Sequence, residues 1–343
     1  MRKALILILL ATVCCTRRPL SDTECPGDNQ KSAALEVSVD WSATGYDIYS
    51  EEEFIHRVSF RFFPKNGDKP FDRFLEDNVE SGVIEVPAGE YSVVVFNESI
   101  DDVYWQGAIE FENVDDYSLF AAVLADEDRE TYDFFYTPLD DEALSVEALI
   151  LASSSIDNIV VSEAMTTTPQ SSWSEEELAM ISQLNPVVPR RLTCNTTIEV
   201  VTENLKSAYQ VHASLSSLAQ RVFMASGDTD SATTTHIGEL TQWSWDDEQE
   251  KLHGTISESR LTFSTAATDQ QHILTLDVLL IDGTRHTPDE PLVYDVSDQI
   301  LSTAAATRYA DNDLGASVSL SLPDVSGDIE VDPWSDDNEV TIF

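Results

Sequence analysis

An alternation of apolar and polar residues with a period of two recurs along most of this 343-residue chain and limits it more than any other feature. Leu35, Val37, Val39 and Trp41 alternate with Glu36, Ser38, Asp40 and Ser42, and Val58, Phe60 and Phe62 alternate with Arg57, Ser59 and Arg61. Successive side chains of an extended strand point to opposite faces, so each run describes a strand with one buried face. Residues 83–86 and 91–96, joined by Pro87-Ala88-Gly89-Glu90, read as a hairpin. Further strands are expected at 103–111, 117–124, 146–151 and 159–162. The second half continues at 192–201, 208–218, 222–225, 240–245, 251–256, 260–265 and 273–281. Asp282-Gly283 is a tight-turn signal, Val318, Leu320 and Leu322 alternate with serines, and Val340-Thr341-Ile342-Phe343 has strand character. The fold class these runs predict is all-β, two sandwiches in tandem.

A helical pattern competes once. Ser174-Glu175-Glu176-Glu177 forms a capping-box motif before Leu178, Ile181 and Leu184. Thr- and Ser-rich residues precede it and Pro186 and Pro189 follow. Residues 164–188 therefore read as a linker with a short helix, between a first sandwich at 33–163 and a second at 189–343.

The N-terminus sets the location. Arg2 and Lys3 precede a largely apolar run of ten residues, Ala4 to Val13, and then Cys14 and Cys15. Ten residues are too few to span a hydrocarbon core of ~30 Å, so the segment reads as an export signal. A lipidated cysteine needs a small residue before it, which selects Cys15. The expectation is a signal peptide at 1–14, lipid on Cys15 and a polar tether at 15–32. The plainer alternative is an ordinary signal peptide with incidental cysteines.

Sixty-three acidic residues against 19 Lys and Arg give a net charge of −44. Such a body is repelled by phosphate backbones, so no nucleic-acid partner is expected. Six Trp, ten Tyr and fourteen Phe supply enough apolar volume for packed cores. Cys25 and Cys194 could pair in an oxidising compartment or remain two thiols.

Catalytic constellations are missing from the pattern. His56, His212, His236, His253, His272 and His286 are scattered, with neither H-E-x-x-H nor paired cysteine ligands, and there is no G-x-S-x-G, P-loop or G-x-G-x-x-G. No enzyme, cofactor or metal is expected. Asp311-Asn312-Asp313-Leu314-Gly315 and Asp336-Asp337-Asn338-Glu339 carry calcium-type oxygens without the spacing of an EF-hand, and read as solvated turns. Trp243 and Trp245 share one face of a strand, as core residues or, if exposed, as a sugar-stacking platform. Asp230-Ser231-Ala232 is similar to a short bacterial O-glycosylation acceptor.

Several motifs together resemble a known group. Cys15-Thr-Arg-Arg-Pro-Leu20, Val39-Asp-Trp-Ser42, Arg61-Phe-Phe-Pro64, Val86-Pro-Ala-Gly-Glu-Tyr91 and Val94-Val-Phe-Asn97 resemble the N-terminal half of fimbrillin-like lipoproteins of Bacteroidales, relatives of fimbrial anchor subunits. Ala213-Ser-Leu-Ser-Ser-Leu-Ala219 and the ending Val331-Asp-Pro-Trp334…Val340-Thr-Ile-Phe343 are similar to their C-terminal half. The resemblance implies two transthyretin-like Greek-key β-sandwich domains, a lipid anchor in the cell outer membrane, and a role in fimbria anchoring, assembly or adhesion, with fimbrial subunits of the same host as partners. The alternative is a glycan-binding surface lipoprotein. Strand exchange in the group implies that Val340, Ile342 and Phe343 form an edge or exchanged strand, or simply complete their own sheet. Arg190-Arg191 is comparable to a maturation site cleaved after arginine, and also reads as a pair opening a strand.

Overall fold

The computed structural model describes residues 31–45, 55–105, 107–131, 142–146, 148–245, 253–263, 271–286, 292–300, 312–313 and 319–324. Among the described residues the regular structure is mainly β-strand. The first half contributes β1 (Ser32–Ser38), β2 (Val58–Pro64), β3 (Phe71–Leu75), β4 (Ser81–Pro87), β5 (Gly89–Asn97), β6 (Ile109–Glu112), β7 (Ala121–Leu124), β8 (Ala143–Ser145) and β9 (Ala152–Val161). The helix α1 (Glu175–Ile181) follows, capped as expected: the Ser174 hydroxyl accepts from the Glu177 amide while the Glu177 carboxylate accepts from the Ser174 amide. The second half contributes β10 (Arg190–Arg191), β11 (Thr193–Glu203), β12 (Ala208–Ala219), β13 (Arg221–Phe223), β14 (Thr233–Glu239), β15 (Gln242–Trp245), β16 (His253–Phe263), β17 (Ile273–Leu280), β18 (Leu292–Asp295), β19 (Asn312–Asp313) and β20 (Ser319–Ser321).

Three cores organise these strands. The first lies between the antiparallel pair β1–β4 and a sheet ordered β10-β9-β5-β2-β3, and is filled by Leu35, Val37, Phe60, Phe62, Ile84, Val86, Val93 and Ile159. Residues 164–188 add Met165, Trp173, Ile181, Leu184 and Val187 to this core, so the helical segment is packed rather than suspended between domains. The second core lies between the sheets β15-β16-β11-β19 and β18-β17-β12-β14-β8. β20 continues the line of β19 in parallel beside β11, with Thr196–Thr197 opposite Asn312–Asp313 and Val201–Glu203 opposite Ser319–Ser321.

The third core joins the halves. Phe63, Phe96, Trp105, Phe120, Leu124 and Leu151 from the first meet Leu192, Ala219, Val222, Met224 and Phe263 from the second. Strands cross in both directions at this junction: β8 adds in parallel to β14, and β13 pairs antiparallel with β7. Arg221 reinforces it, donating to Glu112 at 2.6 Å and to Asp230 at 2.7 Å.

The structure corrects several expectations: Val103–Trp105 form a 3-10 turn rather than the start of a strand, and the strand expected at 146–151 falls in the connection between β8 and β9. β4 and β5 are not a hairpin: β4 pairs with β1, and β5 with β2 and β9. Pro87-Ala88-Gly89 is instead a corner between sheets, where a Cβ on Gly89 would come within 2.6 Å of the Tyr91 hydroxyl oxygen. Residues 251–256 and 260–265 are not separate strands, because β16 runs unbroken against all eleven residues of β11. β2 is not half-buried: Ser59 and Arg61 are as enclosed as Phe60, because the third core covers the face that alternation assigned to solvent.

Candidate assembly surface

Protein–protein assembly through sheets depends on backbone donors and acceptors left at strand edges, and the edges here differ sharply. Where β3 meets β4 the edge is blocked by Arg73, whose Nε donates to the Glu85 carbonyl at 2.5 Å while its guanidinium lies over Phe71. The outer edge of β1 is partly covered. Gln170 Oε1 accepts from the Glu36 amide at 2.9 Å, Val187 N donates to Ser38 O, and Asp40 N donates to Val187 O, each at 2.8 Å. Ahead of Glu36, among the described residues, no strand pairs with this edge, and Ala34 is exposed there. β15 is likewise an outermost strand, paired only with β16 among the described residues.

Cys15, Cys25, Asp336–Glu339, Val340, Ile342 and Phe343 lie outside the described residues. Cys194 is buried on β11 and is not in a disulfide. Trp243 and Trp245 do share a face. They are half-buried against the second core, with ring centroids 6.1 Å apart and planes 24° from parallel, so they close the margin of the sandwich. Of the Asp311–Gly315 run, Asn312 and Asp313 form a strand rather than an open turn.

The histidines are not gathered. His56 is beside Glu98, His212 stands opposite Glu239 and Asp277 on the flanking strands, His272 is buried with Nδ1 3.3 Å from Ser216 O, and His236 Nδ1 is 3.5 Å from Ser145 Oγ. Burial pushes His272 below its ordinary value. No group of three or more metal-ligating side chains occurs among the described residues. A small, mainly apolar cavity inside the second sandwich is lined by Ile198, Leu215, His236, Leu240 and Glu258.

Sequence reasoning missed two charged residues with unusual surroundings. Arg61 is enclosed between the first and third cores. Glu98 occupies left-handed backbone (φ +60°) and has its side chain only 2% exposed, with Oε1 accepting from the His56 amide at 2.7 Å. Burial raises the Glu98 carboxyl above its ordinary value of 4.5 by more than the His56 contacts lower it. A carboxyl raised in the fold contributes stability that is complete below its unfolded value and is lost as pH rises through the folded one. Glu98→Gln keeps an acceptor for the His56 amide without the charge. Thermal unfolding of the two proteins is expected to coincide near pH 4 and to separate as pH rises toward about 8, with the variant the more stable. A variant less stable at the alkaline end would refute this.

Arg190-Arg191 is held in β10, opposite Ser153 and Ala152, with Leu192 N donating to Leu151 O at 2.8 Å. A protease needs an extended, accessible backbone. Brief digestion of the native protein by an arginine-specific protease is expected to spare this pair, and mass spectrometry of the fragments would show otherwise.

Residues 15–238 match a family model described as a domain of unknown function, DUF5119. The chain belongs to this family. A curated Bacteroides ovatus protein named for fimbrium anchoring, Fim4B, is 28% identical over 115 residues, which are 33% of this chain and 30% of that relative. The match therefore spans less than a third of the relative's length. A crystal structure of a Bacteroides ovatus protein described as an adhesin superposes with a TM-score of 0.54 at 16% identity, covering 86% of this chain and 94% of that one. At that identity the likeness is one of fold, and it bears out the all-β architecture of this DUF5119 chain. The resemblance to fimbrillin-like proteins read from the motifs agrees with the name of the matched relative.

Proposed function

We propose that this DUF5119 chain is an envelope subunit that anchors or assembles a fimbrium through protein–protein contacts, held to the outer membrane by lipid on Cys15. The observation that carries the reading is its similarity to the fimbrium-anchoring relative, which the all-β body supports. The sheet edges provide the means: at the exposed start of β1 an incoming strand would find backbone that no other described strand pairs with. The acidic surface favours a partner with Lys and Arg around its contact. The work is binding, with no chemistry assigned to any side chain.

The test is recovery of the full-length protein from its own host, with mass spectrometry of whatever accompanies it. Fimbrial subunits are expected in the isolate, and Cys15→Ala is expected to move the protein out of the membrane fraction. A protein recovered repeatedly without any fimbrial subunit overturns the assembly role. A Cys15→Ala variant that stays membrane-bound overturns the lipid anchor alone.

A further inference from the structure

Between β2 and β3 the chain turns through Lys65, Asn66, Gly67, Asp68 and Lys69, all exposed. Gly67 occupies left-handed backbone (φ +87°), with open space where a Cβ would stand. The Asn66 side chain is held by Asp68 at both of its polar atoms: Oδ1 accepts from Asp68 N at 3.0 Å, and Nδ2 donates to Asp68 Oδ2 at 2.7 Å. An N–H against one atom and a carboxylate against the other fix which is oxygen and which nitrogen. The turn itself is anchored, with Lys65 N donating to Glu90 O and Lys65 Nζ to Asn158 Oδ1, each at 2.9 Å. Gly67 N is held loosely, donating to Pro64 O at 3.3 Å, past the ~2.7–3.2 Å of ordinary N–H···O bonds.

A backbone nitrogen can close on the amide carbon of the asparagine before it, forming a five-membered cyclic imide. Residues with a Cβ crowd that approach, and glycine does not. Asn66 is the one asparagine of the sequence that glycine follows. As Cγ becomes tetrahedral, negative charge gathers on Oδ1. The Asp68 N–H already points there, the placement by which backbone donors stabilise acyl-transfer intermediates. The nitrogen that must leave is Nδ2, and the Asp68 carboxylate beside it can relay a proton. The Gly67 N–Cγ bond forms, the Cγ–Nδ2 bond breaks, and the proton lost from Gly67 N departs with Nδ2 as ammonia. Water then opens the ring at either carbonyl, leaving aspartate or isoaspartate at this position.

We propose that Asn66 is a self-modification site, which converts to aspartate and isoaspartate in the folded protein with assistance from Asp68. The conversion replaces a donor to Asp68 with a second carboxylate, so an attraction across the turn becomes a repulsion. The isoaspartate form also adds a methylene to the backbone between β2 and β3. The site stands whatever partner the envelope subunit has.

The full chain, purified and folded, is incubated in neutral buffer, and conversion at each asparagine is followed by peptide mass spectrometry. Electron-transfer fragmentation separates aspartate from isoaspartate. Asn66 is expected to convert first. Asp68→Asn keeps an acceptor for Nδ2 but relays no proton, and is expected to slow conversion in the folded protein by at least about tenfold. In guanidinium, where the turn is lost, the two chains should convert at the same rate, and circular dichroism in buffer checks that the variant folds. An Asn66 that stays intact overturns the proposal. So does a rate in the folded protein unchanged by Asp68→Asn, or a slowing of the same size in the denatured chains.

Discussion

Replacing Phe120 by Ala is expected to cost about 3–5 kcal/mol, the range for deleting a fully enclosed aromatic ring, and to uncouple the two halves. Phe120 is completely buried, with ring centroids 6.0, 5.8 and 5.8 Å from those of Phe63, Phe96 and Phe111. The core it fills is shared by both halves, and the carbonyl of Phe120 itself accepts from Met224 N at 2.9 Å. The parent protein is expected to unfold in one denaturant transition, reported alike by circular dichroism and tryptophan emission. The variant should show two. Phe74→Ala, at a ring 38% exposed, is the control and should cost well under half as much. A Phe120→Ala variant that loses less than about 1 kcal/mol, within the effect of ordinary substitutions, would show that the shared core does not couple the halves.

Asp72→Ala is expected to be comparably damaging for an electrostatic reason. The Arg61 side chain is 6% exposed, with Nη1 2.6 Å from Asp72 Oδ2 and Nε donating to Val114 O at 3.0 Å. Its guanidinium carbon lies 5.7 Å from the ring centroids of both Phe63 and Phe120. Removing the carboxylate leaves a cation among aromatic rings without its counter-charge, a change that costs about 3–5 kcal/mol in buried pairs. Arg61→Met in the Asp72→Ala background removes the stranded charge and should recover most of the loss. Equilibrium unfolding of the three variants decides the matter: equal losses in the single and double variants would mean that Asp72 acts through packing alone.

The alternation of β1 and the capping box of α1 were legible because each is settled by residues close in sequence. Leu35 and Val37 report a buried face whatever lies across from it, and the Ser174–Glu177 exchange closes within one turn. Partnership was not legible. Residues 81–97 contain the composition of a hairpin, yet whether two successive strands pair or part at a corner depends on the distant β1 and β9 that claim their edges. The same holds for β2, where the sequence around Arg61 indicates a solvent face and only the arrival of Phe120 encloses it. Of the candidate site, the shared face of Trp243 and Trp245 on β15 could be read directly. The covering of β1 by Gln170 and Val187 could not, because it joins residues more than 130 positions apart.

The reciprocal crossing between the halves bears on how the protein would carry tension. Two sandwiches joined by a bare linker would separate at the linker when pulled, each taking the load in turn. Here the β8–β14 and β7–β13 pairings and the aromatic core between them must yield together before the halves part. A pull entering at β1 is thus expected to be shared across the junction rather than taken by one half at a time.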